Sequence, residues 1–408
     1  MQTLVKEKTN NLVYILGAIT AIIFAVNRTI GSLPLFLLGC AIMLFALILL
    51  KFDDLFLYTI ILFPFLHAIK FSSTSAAFYG YYFILVSIKY FVKNEFKFKF
   101  CFSLLAFFLC VTLTSVKYSN YNLIITEIRE VFCLLFLITM FNNDKYLNRE
   151  YISKILVCAI FGATISATSF LLGARHERNF ATLTFPCLVA INLLLCVYNK
   201  KTTIANILSM LILAVGALIN SSRTNFIILL LVVLVPVFLL FDKGKVKYGI
   251  YSLFVIVVIV VIINFTFSDI IDSVLQRFEG DDVETGHGRI EIWKFYINLT
   301  CSSWDRFLFG NGFYANYSNF ISNHEHNSFV QVFSRFGIIG TIFWTFMYFN
   351  LFKQISFRTG KFKISSIVPF LCFIGCNMGV GNMGAMDFVC LYLCCCLIVR
   401  YCSMSGDK

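Results

Sequence analysis

Of 408 residues, 59% are hydrophobic and only 13% charged, about half the charged share of a soluble globular domain. That balance excludes a soluble domain of ordinary size and belongs in a bilayer, where each helical span needs roughly 20 apolar residues. The net charge of +12 sorts by membrane side, as set out below, and no nucleic-acid partner is expected.

The first apolar run, Asn11 to Val26, follows Lys6 and Lys8. No small-residue cleavage site follows it, so it reads as an uncleaved first span. Apolar runs and polar breaks then predict about fourteen spans, near 11–26, 30–50, 55–70, 76–92, 100–116, 123–141, 152–172, 181–198, 203–220, 225–241, 248–267, 328–352, 364–380 and 385–400. The expected fold is an all-α polytopic membrane helix bundle of about 12–14 transmembrane helices with one long periplasmic loop containing short helices. Its divisions are a helix bundle over 1–267 with about 11 spans, the loop over 268–327, and C-terminal spans over 328–408. Nearly all of the 15 cysteines fall inside spans. Only Cys301 lies in the loop, and a lone cysteine cannot staple it. The run Cys394 to Cys396 reads as small hydrophobes on the last span rather than as metal ligands.

Lysine and arginine set the orientation. Lys93, Lys97 and Lys99 share a side with Lys200 and Lys201, with Lys243, Lys245 and Lys247, and with Lys353, Arg358, Lys361 and Lys363. That side is assigned to the cytoplasm, which puts both termini inside and makes the chain a multi-pass membrane protein. On this assignment 18 lysines and 3 arginines lie inside, against 3 lysines and 9 arginines outside. Membrane topology does not distinguish the two bases, so it leaves the outer arginines unexplained. A guanidinium fork matches phosphate oxygens two at a time where an ammonium offers a point charge. The outer arginines point to a phosphate-bearing ligand; headgroup contacts and pairing with loop carboxylates are the other readings.

The loop of about sixty residues before Ser328 is the only long connection, and function concentrates in such segments. Asp269 to Phe278 carries apolar residues at helical spacing and reads as an interfacial helix. The acidic run Glu279 to Glu284 lacks the alternating pattern of a calcium loop and reads as a solvated turn. A second helix is expected from Gly288 to Ile297, with Ile290, Trp293 and Ile297 on one face and Arg289 in its first turn. The Phe309 to Phe313 stretch, with Gly310 and Gly312, is too short for a nucleotide-binding loop and reads as a packing turn.

The loop closes on His324-Glu325-His326-Asn327. Histidines two apart with a glutamate between them do not have the i, i+4 spacing of a helix-borne zinc site. A histidine with an ordinary pKa near 6.5 suits a general base on a hydroxyl; a structural histidine is the other reading at both positions. Arg223, between two apolar spans, and Arg129, Arg175 and Arg178 all face outward on this topology. A charge at the membrane boundary is costly unless paired, which makes each a functional candidate.

These residues resemble the superfamily of bacterial O-antigen polymerases and O-antigen ligases. The matching features are Ser222-Arg223, Gly288-Arg289 with Trp293, the Gly310-x-Gly312 turn, and the closing motif His326-Asn327, nine residues, Gly337, two residues, Gly340. The resemblance spans roughly 175 to 345. Trp304 and Asp305 stand where relatives often carry proline, and His324 has no counterpart in the motif.

The resemblance implies a metal-independent membrane glycosyltransferase without cofactors. Its donor would be a glycan on undecaprenyl diphosphate and its acceptor a sugar hydroxyl. By analogy His326 is the general base, while Arg223 and Arg289 hold the diphosphate and stabilise its growing charge. Arg175, Arg178, Arg129, His324 and Asn327 are expected around the substrate.

A polymerase is the first reading, joining undecaprenyl-diphosphate-linked repeat units at the periplasmic face, with a chain-length regulator as an allowed further partner beside the lipid bilayer. The alternative is a ligase that transfers the glycan to lipid A-core. A transporter or flippase would carry its charges inside the spans, and 225–241 and 248–267 have few or none there. Arg223→Ala and His326→Ala are each expected to abolish chain formation with the protein still inserted. Full activity in either variant, measured as polymer on a gel beside a membrane-fraction blot, removes that residue from the mechanism.

Overall fold

A computed structural model describes residues 2–68, 78–92, 109–110, 113–114, 117, 149–173, 203–219, 229–230, 234–242, 244–266, 289–312, 327–356 and 371. Every regular element among the described residues is helical. In chain order they are α1 (Gln2–Ile30), α2 (Leu33–Leu49), α3 (Phe52–Leu62) with a 3-10 turn (Phe63–Ala68), α4 (Phe78–Phe91), α5 (Arg149–Leu171) and α6 (Ile204–Ile219), followed by α7 (Val235–Asp242), α8 (Val246–Thr266), α9 (Arg289–Thr300), α10 (Trp304–Phe309) and α11 (Ser328–Ser356). Helices α1 to α6 belong to one compact unit and α7 to α11 to another.

Among the described residues three stretches are long and apolar enough to cross a membrane, Asn11–Ile30, Glu150–Leu171 and Ser328–Phe346, and Leu33–Leu49, Ile204–Ala217 and Val246–Val258 are shorter apolar stretches. Large apolar side chains such as Ile48, Phe254 and Leu172 lie 68% exposed or more, an arrangement that water penalises and lipid does not. The protein is an all-helical polytopic membrane protein. The expected spans near 123–141, 181–198, 364–380 and 385–400, and the expected loop helix at 269–278, lie outside the described residues, apart from Leu371, which is helical.

The first unit is built around α3. Leu55, Phe56, Leu57, Tyr58, Ile60, Ile61 and Leu62 are all buried, so this helix is apolar on every face and can only be a core helix. It packs against both α1 and α5. Two glycines allow that approach. A Cβ on Gly17 of α1 would meet the Ile61 side chain at 2.9 Å, and one on Gly162 of α5 would lie 2.1 Å from the Ile61 carbonyl oxygen. Small residues that let backbones close up are the usual basis of helix association in lipid, where no hydrophobic drive separates one apolar surface from another. Thr20 Oγ1 and Tyr58 Oη, 2.9 Å apart, join α1 to α3 inside this core. The span expected over 55–70 changes from α to 3-10 geometry at Phe63–Ala68, where Pro64 supplies no amide for an α-helical bond.

Several helix ends are fixed by turns and by contacts with neighbouring ends. Gly31, at φ 71°, ends α1 with its amide on Asn27 O at 2.7 Å, and Pro34 in the first turn of α2 starts the return. Lys89, near the C-terminus of α4, donates to Leu50 O at 2.9 Å and to Leu47 O at the C-terminus of α2. The two helices expected to run the same way thus end together, and the ammonium sits on carbonyls left without helical partners. Likewise Tyr151 Oη in the first turn of α5 donates to Asp53 O in the first turn of α3 at 2.9 Å. In the second unit, Gly244 at φ 68° turns α7 into α8, with Lys245 N on Leu240 O at 2.9 Å.

Gly162 and Gly39 make a matched test of this packing. A Cβ on Gly162 meets backbone, which cannot move aside, whereas one on Gly39 meets the tip of the Phe24 ring at 2.7 Å. Gly162→Ala is expected to cost about 1–3 kcal/mol and Gly39→Ala measurably less. Thermal unfolding of the purified variants in detergent checks the order; equal midpoints would mean that α5 does not approach α3 this closely.

Candidate active site

Of the motif residues, Arg289, Trp293, Gly310, Gly312, Asn327, Gly337 and Gly340 fall on or beside α9, α10 and α11 of the second unit, and their geometry begins with one bend. Helix α11 is interrupted at Gly337, with φ 65° and ψ −166°, a backbone region open essentially only to glycine. Phe329 and Trp344 meet edge to face with ring centroids 4.7 Å apart. Fifteen residues along a straight helix would separate them by about 22 Å. The chain therefore folds back at Gly337. The continuous span expected over 328–352 is instead a short segment, Ser328 to Phe336, followed by a longer one.

This bend explains the spacing of the closing motif. The nine residues between Asn327 and Gly337 are the short helical segment, and Gly337 is its hinge. Gly340 lies where the second segment passes the first, since a Cβ there would fall 2.3 Å from Phe336 Cβ. Thr341 Oγ1 donates to Gly337 O at 2.8 Å and secures the restart.

Ending a helix at Gly337 leaves carbonyls without partners, and the Gly-Asn-Gly turn supplies them. Asn311 N donates to Ser334 O at 2.8 Å and Gly312 N to Arg335 O at 2.9 Å. The Asn311 side-chain amide donates to Ser334 O at 3.0 Å and to Thr300 Oγ1 at 2.9 Å. Gly310, at φ 75° and ψ −169°, lies against the hinge backbone to backbone. A Cβ on it would come 2.3 Å from Arg335 C and O, and one on Gly337 would come 2.4 Å from Leu308 O. Asn311, buried at 5% exposure, thus ties the end of α9 to the end of the short segment. The turn expected to serve packing does so. Sequence reasoning passed over Asn311 itself, although an asparagine between two glycines in an apolar chain was a signal of a buried polar contact.

Helix α9 starts at Arg289, half-buried in its first turn, with Trp293 one turn on. Its buried stripe is Ile292, Tyr296 and Thr300, and the helix packs on α11. The face expected to be apolar, Ile290, Trp293 and Ile297, is a separate one, on which Ile290 and Ile297 are exposed at 37% and 39%. Asn327, also buried, caps α11 with its side-chain oxygen, accepting from Phe329 N at 2.9 Å and Val330 N at 3.3 Å.

Helix α10 bridges the site to the stretch around 109–117. Ser303 caps it by accepting from Arg306 N at 3.4 Å, Lys117 pairs with Asp305, and Lys117 Nζ lies 5.6 Å from the centre of the Phe309 ring. Thr114 Oγ1 donates to Phe309 O at 3.4 Å. Asp305, which departs from the motif of relatives, has a contact of its own here. Phe307 and Phe333, 6.1 Å apart and edge to face, complete the seat of α10 on α11.

Of the expected site residues, Arg289 and Asn327 lie on the packed pair α9 and α11. His326, His324, Arg223, Arg175, Arg178 and Arg129, with Gly288, lie outside the described residues. Residues 208–345, about a third of the chain, match the family model described as O-antigen ligase. No curated protein and no solved structure gives a significant match.

Gly310→Ala and Gly337→Ala place a side chain in both a forbidden backbone region and a neighbouring backbone. Each is expected to cost about 3 kcal/mol or more and to abolish activity. Asn311→Ala, which removes hydrogen bonds to one buried carbonyl and one hydroxyl, is expected to cost about 1–3 kcal/mol. Thermal unfolding and polymer gels on the three variants check this; wild-type stability in Gly337→Ala would show that α11 runs straight.

Proposed function

We propose, on the premise that residues 208–345 carry a domain of the O-antigen ligase and polymerase family, membrane glycosyltransferases acting on polyprenyl-linked glycans, that this chain is the polymerase. It joins undecaprenyl-diphosphate-linked repeat units at the outer face of a bacterial inner membrane, with both termini in the cytoplasm. The diphosphate is already a leaving group, so the acceptor hydroxyl attacks the anomeric carbon directly, the carbon–oxygen bond to the diphosphate breaks, and the configuration inverts. His326 takes the hydroxyl proton. Arg223 and Arg289 take up the charge that grows on the departing diphosphate, a role a divalent metal would otherwise fill. Arg175, Arg178, Arg129 and His324 add contacts to the substrates.

The observation that carries the reading is the clasp at Asn311. It bonds Thr300 at the C-terminal end of α9 and Ser334 near the C-terminal end of the short segment. Each helix therefore begins at the end away from the clasp, α9 with Arg289 and the short segment with Asn327, next in sequence to His326. A cation in the first turn works against the helix dipole by a few tenths of a kcal/mol. It gains when an anion binds there, because free amides and guanidinium then act on the same charge. The cap on Asn327 fixes the residue beside the base, so its contribution to the substrate is made through position.

The description of the matched family favours a ligase as the second reading, with lipid A-core as acceptor. Deletion of the gene separates the two. Lipopolysaccharide bearing a single repeat unit on its core identifies the polymerase, and bare core with polymer retained on the carrier lipid identifies the ligase. Unchanged ladders contradict both.

A further inference from the structure

The short segment of α11, Ser328 to Phe336, is inside out for a helix in water. Its polar side chains Ser328, Gln331 and Ser334 recur at every third position and are all buried, at 0%, 3% and 2% exposure. Phe329, Val330 and Phe333 keep part of their surface uncovered, Phe329 as much as 38%. A surface helix in water shows the opposite arrangement. Polar residues turned into the protein and apolar ones turned out are the pattern of a helix in lipid.

The level of the segment follows from the fold-back at Gly337. Phe329 meets Trp344, which lies about 10 Å along the second segment from Gly337. From Gly337 to Lys353, a residue assigned to the cytoplasmic side, the helix rises about 24 Å, already less than a hydrocarbon core of about 30 Å. None of that length can stand in water. If the membrane began at Trp344, about 14 Å of helix would be left to cross it. The surface at this level agrees, since Ile342 and Phe346, on either side of Trp344 in sequence, are 46% and 51% exposed.

We infer that the short segment re-enters the membrane from its outer side and carries Asn327, where the large loop ends, to a depth about 10 Å below the hinge. Chain that is not a complete span is tolerated at such depth only where its backbone polar groups are satisfied within the protein. Both ends of this segment meet that condition. Asn327, 6% exposed, caps the first amides, and Asn311 and Gly312 take the last carbonyls. Beside it α9 exposes Ile290 and Ile297 along one edge and Glu291, Lys294 and Asn298 along the next, so this helix has lipid on one side and a polar cleft on the other. The meaning of the depth rests on the proposed function. Water competes with a sugar hydroxyl for the diphosphate ester, and a cleft sunk below the surface excludes most of it.

The test uses the whole protein in lipid nanodiscs and single-tryptophan variants. The chain has three tryptophans, and replacing Trp293, Trp304 and Trp344 with phenylalanine gives the background. Onto it go Phe329→Trp, Phe333→Trp, Ile342→Trp or Phe346→Trp, while a fifth protein keeps Trp304 alone, 79% exposed on α10. Emission is quenched by iodide from water and by phospholipids brominated at shallow or deep acyl positions. Ile342→Trp and Phe346→Trp form a depth ruler along the second segment. Phe329→Trp is expected to lose most of the iodide quenching seen with Trp304 alone and to read between the two ruler positions, with Phe333→Trp near Ile342→Trp. Iodide quenching of Phe329→Trp equal to that of Trp304, or a depth shallower than Ile342→Trp, overturns the inference. If Phe329→Trp does not fold, Phe333→Trp decides by the same iodide comparison. Quenching needs no turnover, so the outcome is separate from that of the gene deletion. A deep Phe329→Trp with unchanged lipopolysaccharide ladders would retain the re-entrant segment and reject the polymerase.

Discussion

Two backbone carbonyls, Ser334 O and Arg335 O, lose their helical partners when α11 bends at Gly337, and a membrane protein has little water with which to replace them. An unpaired buried carbonyl costs about 1–3 kcal/mol, so a bend of this kind persists only where the fold brings donors to it. Asn311 and Gly312 are those donors. The bend, the turn and the glycines that let them touch are one device, and each part is intelligible only with the others. Because of it, a run of chain that is apolar enough to span the membrane begins as a short helix packed against α9 and α10.

The first unit solves a different problem by similar means. Its helices have apolar surface on all sides, and lipid gives no reason to prefer a protein neighbour over an acyl chain. Association then depends on close fit, which Gly17 and Gly162 permit at Ile61, and on polar contacts that lipid cannot offer, such as Thr20 with Tyr58 and Lys89 with the end of α2. In both units the decisive residues are small or polar ones in an apolar sequence. The bulk hydrophobic composition places the chain in the membrane and leaves the arrangement of helices open.

Within each unit polar contacts join particular ends: α2 with α4 and α3 with α5 in the first, and Lys117 with Asp305 in the second.

Composition and periodicity by themselves determined that the protein is helical and membrane-embedded, and, to within a few residues, where α2, α4, α5, α6 and α8 begin and end. Those properties follow from local terms: transfer of side chains into lipid, the period of the helix, and the ionic preferences of the two membrane faces. Only the tertiary structure decided that the nine residues before Gly337 form a separate segment, that Asn311 joins it to α9, and that Ile292, Tyr296 and Thr300 form the buried face of α9. These depend on which backbone atoms approach one another across more than twenty residues of chain. A glycine that relieves such a contact is indistinguishable, in the sequence, from a glycine that merely interrupts a helix.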